Sequence, residues 1–433
     1  MFTDYLFPAE GKIDEDTKLS AQPRLYVGGG GAGYHVSHGN GGEPAPRGAG
    51  ARAGHLDIWY MWTGTQAEVK AWLYDASLVH KTYPWITVKF LTDAWPNYWV
   101  KLPSEMATGG LPDIVSMQSL RTATFGSAVM PLTSYIKSSG FDLGSFDSSI
   151  VGGLTYKGSV RALPYDFGPE VMYYNKALFR KYHVPYPSNN WTYQEFVKDA
   201  KMLTHGTNYG FGVNPYIDNW LPFVLSAGGH YLDSKGNLSL TDPTTVKAFT
   251  EYAKLDYQYH VSPQENTTSN FNQSTWQAGT IAMIVDGPWD LVNYKDTVKF
   301  DFGIAPIPSQ NGKSVTVVAG SGFGISPTSK HPDDAWRAIT VLTGPNAEQY
   351  LASTGRAYSA RKAYQNAWYT HAVPGSKPVL NYSLSGTHVI PYRTTSNWQQ
   401  VNDLALKYGV AAVNGGESPA AVLQTIQSQA GGQ

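Results

Sequence analysis

From residue 56 to residue 119 the chain passes twice from a short apolar run to helical spacing and back, an order that few folds accommodate. Leu56-Asp-Ile-Trp-Tyr-Met-Trp62 reads as a near-continuous strand ending in Thr63-Gly64. Val69, Trp72, Leu73, Ala76 and Val79 then share one helical face. Ile86, Val88 and Phe90 alternate as a second strand, and Trp95, Tyr98 and Trp99 open a helix running to Gly109-Gly110. Residues 111–117 form a third strand that ends in Gln118-Ser119. This order predicts a parallel sheet covered by helices, with the ligand crevice at the carboxyl ends of the strands. Thr63, Gly64, Gln118 and Ser119 fall at those ends.

Residues 280–285 are mostly apolar or small and read as a strand buried on both faces. Asp286-Gly287-Pro288 breaks it, since glycine permits positive φ and proline presets a first helical turn. Trp289 therefore lands at a strand-to-helix corner, beside Gly287 and backbone amides that lack intrahelical partners. A flat ring next to free donors suits a sugar, which has an apolar face and a rim of hydroxyls. The alternative is a core tryptophan that ends a βα unit.

The rest of the chain supplies further elements. Ala162-Leu-Pro-Tyr165-Asp166-Phe167-Gly168 reads as a strand that becomes an interdomain crossing. Thr192 and Glu195 form a capping box, and Asp242-Pro243 is a cap followed by proline at the first helical position. Residues 302–308 form an extended, proline-marked return, and residues 320–325 form a strand whose glycines let something approach the backbone. Residues 333–342 are helical, and 398–430 read as two more helices. Residues 1–54 have linker composition and are expected to be a disordered leader, a cloning scar or a start set too far upstream.

Composition narrows the chemistry. A chain of 433 residues accommodates two or three compact units. A net charge of −1 with only 15% charged residues argues against nucleic acid as a partner. The 29 Tyr and 13 Trp favour stacking surfaces as well as core. The absence of cysteine excludes disulfides, thiolate metal sites, Cys nucleophiles and a lipid-bearing Cys in this sequence. No basic stretch followed by an apolar one marks a signal peptide, and no run reaches the roughly 18 apolar residues that cross a bilayer. Neither glycine-rich stretch, 28–33 nor 320–324, has the strand and helix that a phosphate loop or dinucleotide fingerprint needs. No Gly-x-Ser-x-Gly elbow or His-Glu-x-x-His helix occurs, so neither cofactor nor metal is expected.

Five stretches, in order, resemble the extracellular solute-binding proteins of ABC sugar importers, the group that includes maltose-binding protein. They are 93–113 (Trp-Pro-Asn-Tyr-Trp, then Gly-Gly-Leu-Pro-Asp-Ile), 164–179, 279–291, Ala305-Pro-Ile-Pro with the later glycine-rich strand, and 354–362. The resemblance spans roughly residues 55–430. It implies an α/β fold of two lobes, each a mainly parallel sheet flanked by helices, joined by hinge crossings. The first lobe would hold 55–164 and 308–343, the second 165–307 and 344–433. It also implies a monomer outside the cytoplasm that binds a mono- or oligosaccharide between the lobes and delivers it to a membrane permease, without catalysis.

On that reading Trp289 stacks on a sugar ring and Asp166 accepts from vicinal hydroxyls, unless its carboxylate caps the next segment. One of Tyr165 and Phe167 faces the cleft and the other the core. Gln118, Ser119, Thr63 and Gly64 supply polar contacts from the first lobe, with Trp95 the better cleft candidate and Trp99 buried structure. Trp220 either walls the second lobe or packs in its core. Gly320, Ser321 and Gly322 offer backbone amides, and Arg361 makes either a sugar contact or a structural salt bridge. Three rivals remain open: a glycosidase using a pair among Asp166, Glu170, Asp286 and Asp290, the same fold binding a polyamine, a metal or an amino acid, and the same fold serving as a sensor or adhesin without transport.

Overall fold

The computed structural model describes residues 54–60, 66–93, 95–265 and 271–431. Thr63, Gly64 and the leader up to residue 53 lie outside these. The strands of the described residues are β1 (Gly54–Tyr60), β2 (Ile86–Thr92), β3 (Ile114–Gln118), β4 (Thr155–Tyr156), β5 (Ser159–Val160), β6 (Leu163–Pro169), β7 (Val171–Asn175), β8 (Met283–Asp286), β9 (Phe302–Ala305), β10 (Thr316–Ile325) and β11 (Val389–Pro391).

β1 lies between β2 and β3 and is parallel to both, as the alternating pattern requires. The helices Gln66–Thr82 and Trp95–Thr108 are the two crossovers. They feed different clusters. Trp72, Ala76 and Val79 join Leu56, Val88 and Phe90, whereas Tyr98 and Trp99 join Val115 and Met117. β10 runs antiparallel to β3 along one edge and to β6 along the other, with Ser321 opposite both Gln118 and Asp166. All ten residues of β10 are buried.

The chain leaves this six-stranded sheet through β6, which continues past the single residue Glu170 into β7. β7 is the centre of a second sheet, ordered β8-β7-β9. Both of its neighbours are antiparallel to it, which corrects the expectation of a mainly parallel sheet in this half. The reason lies in the connection: β7 enters straight from the crossing, whereas β8 and β9 come from within the second half and point the other way.

One face of the second sheet is covered by the helices Tyr193–Leu203, Ile217–Ser226, Pro243–Tyr257, Trp398–Val413 and Pro419–Ala430. Phe196, Trp220, Phe249, Val401 and Val422 from these helices pack with Met172, Met283 and Ala305 of the strands. Trp276 and Tyr294 cover the opposite face, against Tyr173 and Phe302. The caps form as the sequence predicts. Thr192 and Glu195 make a reciprocal box, and the Asp242 carboxylate accepts from the Thr244 and Thr245 amides.

Past residue 344 the chain still packs against the first sheet. The helix Pro345–Ser353 sends Leu351 into the cluster of the first sheet, and Tyr350 stacks on Tyr74 at 3.8 Å. The chain still touches the first half at Phe146–Arg361, and only the helix Ser376–Ser383 packs beside β9.

Candidate functional site

The corner after β8 holds Trp289 in a defined way. β8 is buried through Val285, and Pro288 to Asp290 form one turn of 3₁₀ helix leading into the helix Leu291–Thr297. Gly287 is extended (φ −117°), so positive φ is not why glycine stands there. The Trp289 indole folds back over Gly287, and a Cβ at that position would lie inside the ring's van der Waals shell. The ring itself is half-buried, resting on the helical cluster of the second half. The Asp286 carboxylate accepts from the Gly287 amide at 2.7 Å and from the Tyr294 hydroxyl, and Tyr173 donates to the Gly287 carbonyl at 2.9 Å.

Next to this corner, Asn219 donates to the Val285 carbonyl at 3.1 Å, and Asp218 accepts from Tyr392 at 2.5 Å. Tyr216 precedes them at the start of the helix Ile217–Ser226. From the first half, Arg121 donates to Gln118 at 2.8 Å, to the Tyr216 hydroxyl at 3.1 Å and to Gln399 at 3.2 Å. Its guanidinium lies 4.6 Å from the ring centres of both Trp95 and Trp99. Gln118, Trp95, Tyr216, Asp218, Asn219, Asp286, Trp289 and Gln399 are all half-buried. They form a strip of aromatic and polar side chains contributed by both halves.

Burial disfavours the charged form of the carboxyls in and beside the strip. Burial raises the pKa of Asp286 and Asp290 above the ordinary range, with the charge of Asp286 adding to the rise at Asp290. Burial also raises Glu170, helped by the nearby carboxyls of Asp218 and Asp286, and its Oε2 has no hydrogen-bond partner. Asp218 is raised by burial, partly offset by the Tyr392 hydroxyl and by Arg121. A site of amides, rings and carboxyls whose charged form burial disfavours matches hydroxylated ligands better than strongly charged ones. Among the described residues no group of acids and imidazoles is spaced to hold a metal.

Several residues singled out in the sequence have other occupations. Asp166 is buried, accepts from the Ser321 amide at 2.7 Å and stands 3.8 Å from Arg356, so its oxygens serve the pairing of β6 with β10. Tyr165 and Phe167 do alternate, but both faces of β6 are covered: Tyr165 packs with Trp72 and Phe323, Phe167 with Tyr358. Ser119 is buried and accepts from the Gly320 amide at 3.1 Å. What approaches the glycines is backbone rather than ligand, since a Cβ at Gly320 or Gly322 would meet the carbonyl of Asp166 or Leu163. Trp220 is a core residue, 1% exposed, donating to the Pro215 carbonyl. Arg361 is buried, donating to the Thr343 carbonyl at 2.6 Å and to Ser145 at 2.7 Å. Gln118, Trp95, Gly287 and Trp289 are the candidates the structure brings to the strip.

Arg121, Tyr216, Asp218, Asn219 and Gln399 escaped the sequence reading. A signal was available for three of them: Tyr216-Ile-Asp-Asn219 follows an extended stretch and starts a helix, the same kind of corner that pointed to Trp289. Arg121 and Gln399 lie 278 positions apart and carry no local sign of meeting.

Comparison with known proteins decides the family. Residues 79–374 match the family described as bacterial extracellular solute-binding protein. The chain belongs to it. This solute-binding protein is 26% identical over 294 residues to the maltodextrin-binding protein of Bacillus subtilis, covering 63% of the present chain and 64% of that one. It thus spans a little under two thirds of the length of that relative. In structure it resembles an ABC substrate-binding protein of Listeria monocytogenes in complex with cycloalternan, with a TM-score of 0.80 at 20% identity over 87% and 97% of the two chains. It also resembles the maltose/maltodextrin-binding domain of Bdellovibrio bacteriovorus bound to maltotriose, with a TM-score of 0.74 at 21% identity over 87% and 98%. These likenesses fix the fold of the solute-binding protein as the two-lobe α/β type.

Proposed function

We propose that the protein captures an oligosaccharide between its two halves, outside the cytoplasm, and delivers it as a monomer to an ABC-type importer. The observation that carries this reading is the Trp289 corner. A half-buried indole is folded over Gly287 beside Asp286, next to the helix start where Asn219 holds the Val285 carbonyl and where Tyr216 meets Trp95 and the Gln118-bound Arg121 of the other half. The ring covers the apolar face of a sugar while the side chains replace hydroxyl–water bonds, each of which would cost about 1–3 kcal/mol if left unmade in a buried site. The sugar-binding relatives support the same class of ligand. The lobe division that fits the packing assigns 55–164 and about 308–361 to the first half and the remainder to the second.

A catalytic role is not favoured. The carboxylate of Asp166 is engaged by the Ser321 amide and stands beside Arg356, and that of Asp286 is engaged by the Gly287 amide and the Tyr294 hydroxyl, so both have structural partners rather than flanking a bond to be cleaved. Among the described residues no helix is long and apolar enough to cross a membrane.

Titration calorimetry against maltose, maltotriose and mannotriose, with Trp289→Ala as control, tests the proposal. The parent protein should bind at least one saccharide, and the substitution should weaken that binding about tenfold or more. A parent that ignores every saccharide yet binds a charged metabolite would overturn it.

A further inference from the structure

Arg121 is the one group of the strip whose donors reach both halves. It is 1% exposed, although an unpaired guanidinium is strongly hydrated in water and residues of its type are seldom fully buried. Its own half holds it from three sides: Trp95 and Trp99 from the helix Trp95–Thr108, and Gln118 from the end of β3. These contacts aim the fork irrespective of what the other half does. The remaining two donors cross over. Nη2 reaches the Tyr216 hydroxyl, and Nε reaches Gln399 Oε1 on the helix Trp398–Val413, whose amide nitrogen in turn donates to Asp403. Trp95 also meets Tyr216 edge to face, at 6.4 Å between ring centres.

We infer that Arg121 is a releasable latch: a positioning residue that holds the two halves together through Tyr216 and Gln399 before any sugar arrives. The chemistry of the acceptors supports release. Both cross-half acceptors are neutral oxygens on half-buried side chains, and each such bond contributes about half of what a carboxylate acceptor would. A carboxylate in the place of Gln399 would clamp the halves too firmly to reopen. Asp218 lies near enough for its charge to feel Arg121, yet its Oδ1 is occupied by the Tyr392 hydroxyl. Because the latch favours the closed arrangement without contacting ligand, it raises the fraction of protein ready to bind, and apparent affinity rises in proportion.

This inference rests on the reading that the halves open and close around a sugar, and its test is separable from that reading. The chain has no cysteine, so two can be introduced for spin labels, Ser139→Cys in the first half and Gln424→Cys in the second, both at exposed positions. Distances between the labels are measured by pulsed electron resonance without sugar and with maltotriose. They are recorded for the parent pair and for Tyr216→Phe, Gln399→Ala and Arg121→Lys in the same background.

Sugar-free parent should show a predominantly short distance, and each latch variant should shift the population to a longer one. Saturating maltotriose should restore the short distance. The apparent Kd should rise about fivefold for Gln399→Ala, the equivalent of one neutral hydrogen bond. Melting temperatures identify any variant that fails to fold, and the two partner variants carry the test if Arg121→Lys does. Unchanged distances in well-folded Tyr216→Phe and Gln399→Ala would overturn the latch. A parent that closes without sugar yet binds no saccharide would leave the latch standing and remove the sugar.

Discussion

A single absent methyl group decides where the Trp289 indole lies. Gly287 has an extended backbone that alanine would tolerate, yet a Cβ there collides with the ring. Gly287→Ala should therefore displace the indole while leaving the strand and the turn intact. Calorimetry with maltotriose should show binding weakened about tenfold, and tryptophan emission should shift, with a loss of stability in urea below about 1.5 kcal/mol. The sequence pointed to this corner because glycine, proline and tryptophan after a buried strand have few arrangements. It missed the reason for the glycine, because room for a ring that folds back from two residues on is not written in the pattern of residue types. Tyr165, Phe167 and Trp220 illustrate the converse. Alternation says that two neighbours face opposite ways, but nothing in it says that both faces are covered.

Whole elements were more legible than their partners. Caps and apolar stripes delimit the helices at 193–203 and 243–257 because those signals are written within four residues of each other. The pairing of β10 was hidden. Its glycines admit the carbonyls of β6, so Gly320→Ala should force the two crossing strands apart and cost about 1–3 kcal/mol of unfolding free energy in urea, whether or not sugar binding survives.

The helix Pro243–Tyr257 carries a different signature. Burial pushes the Asp256 carboxyl up to about 7, and its Oδ2 has no hydrogen-bond partner. Because the folded pKa exceeds the unfolded one, this group's relative contribution is fully favourable below about pH 4 and is lost as pH rises through about 7. Asp256→Asn should accordingly stabilise the protein at pH 8 by on the order of 2 kcal/mol, after allowing for partial screening by water, and leave stability at pH 4.5 little changed. Urea titrations at the two pH values check it.

At the scale of the whole molecule the same sign recurs. Asp75 and Glu348 are buried together in the first half, and Glu170 and Asp290 are buried where the halves meet. Burial raises all four, with the charge of Glu348 adding to the rise at Asp75. Each contribution is fully present below the unfolded value near 4 and shrinks as pH climbs through the raised one. Melting temperature should therefore peak in mildly acid buffer and fall toward pH 8, and Glu348→Gln should flatten that fall. A profile rising steadily from pH 5 to pH 8 would contradict the arrangement of these acids.

One contact ties the molecule together. Gly168, near the end of β6, has the Pro288 ring pressed against its α-carbon, and Pro288 adjoins Trp289. The strand that joins the two halves thus bears directly on the turn that carries Trp289, with no slack in between. If the halves close as proposed, the same movement tilts that turn, and seizing a sugar and shutting upon it become a single stroke of one lever.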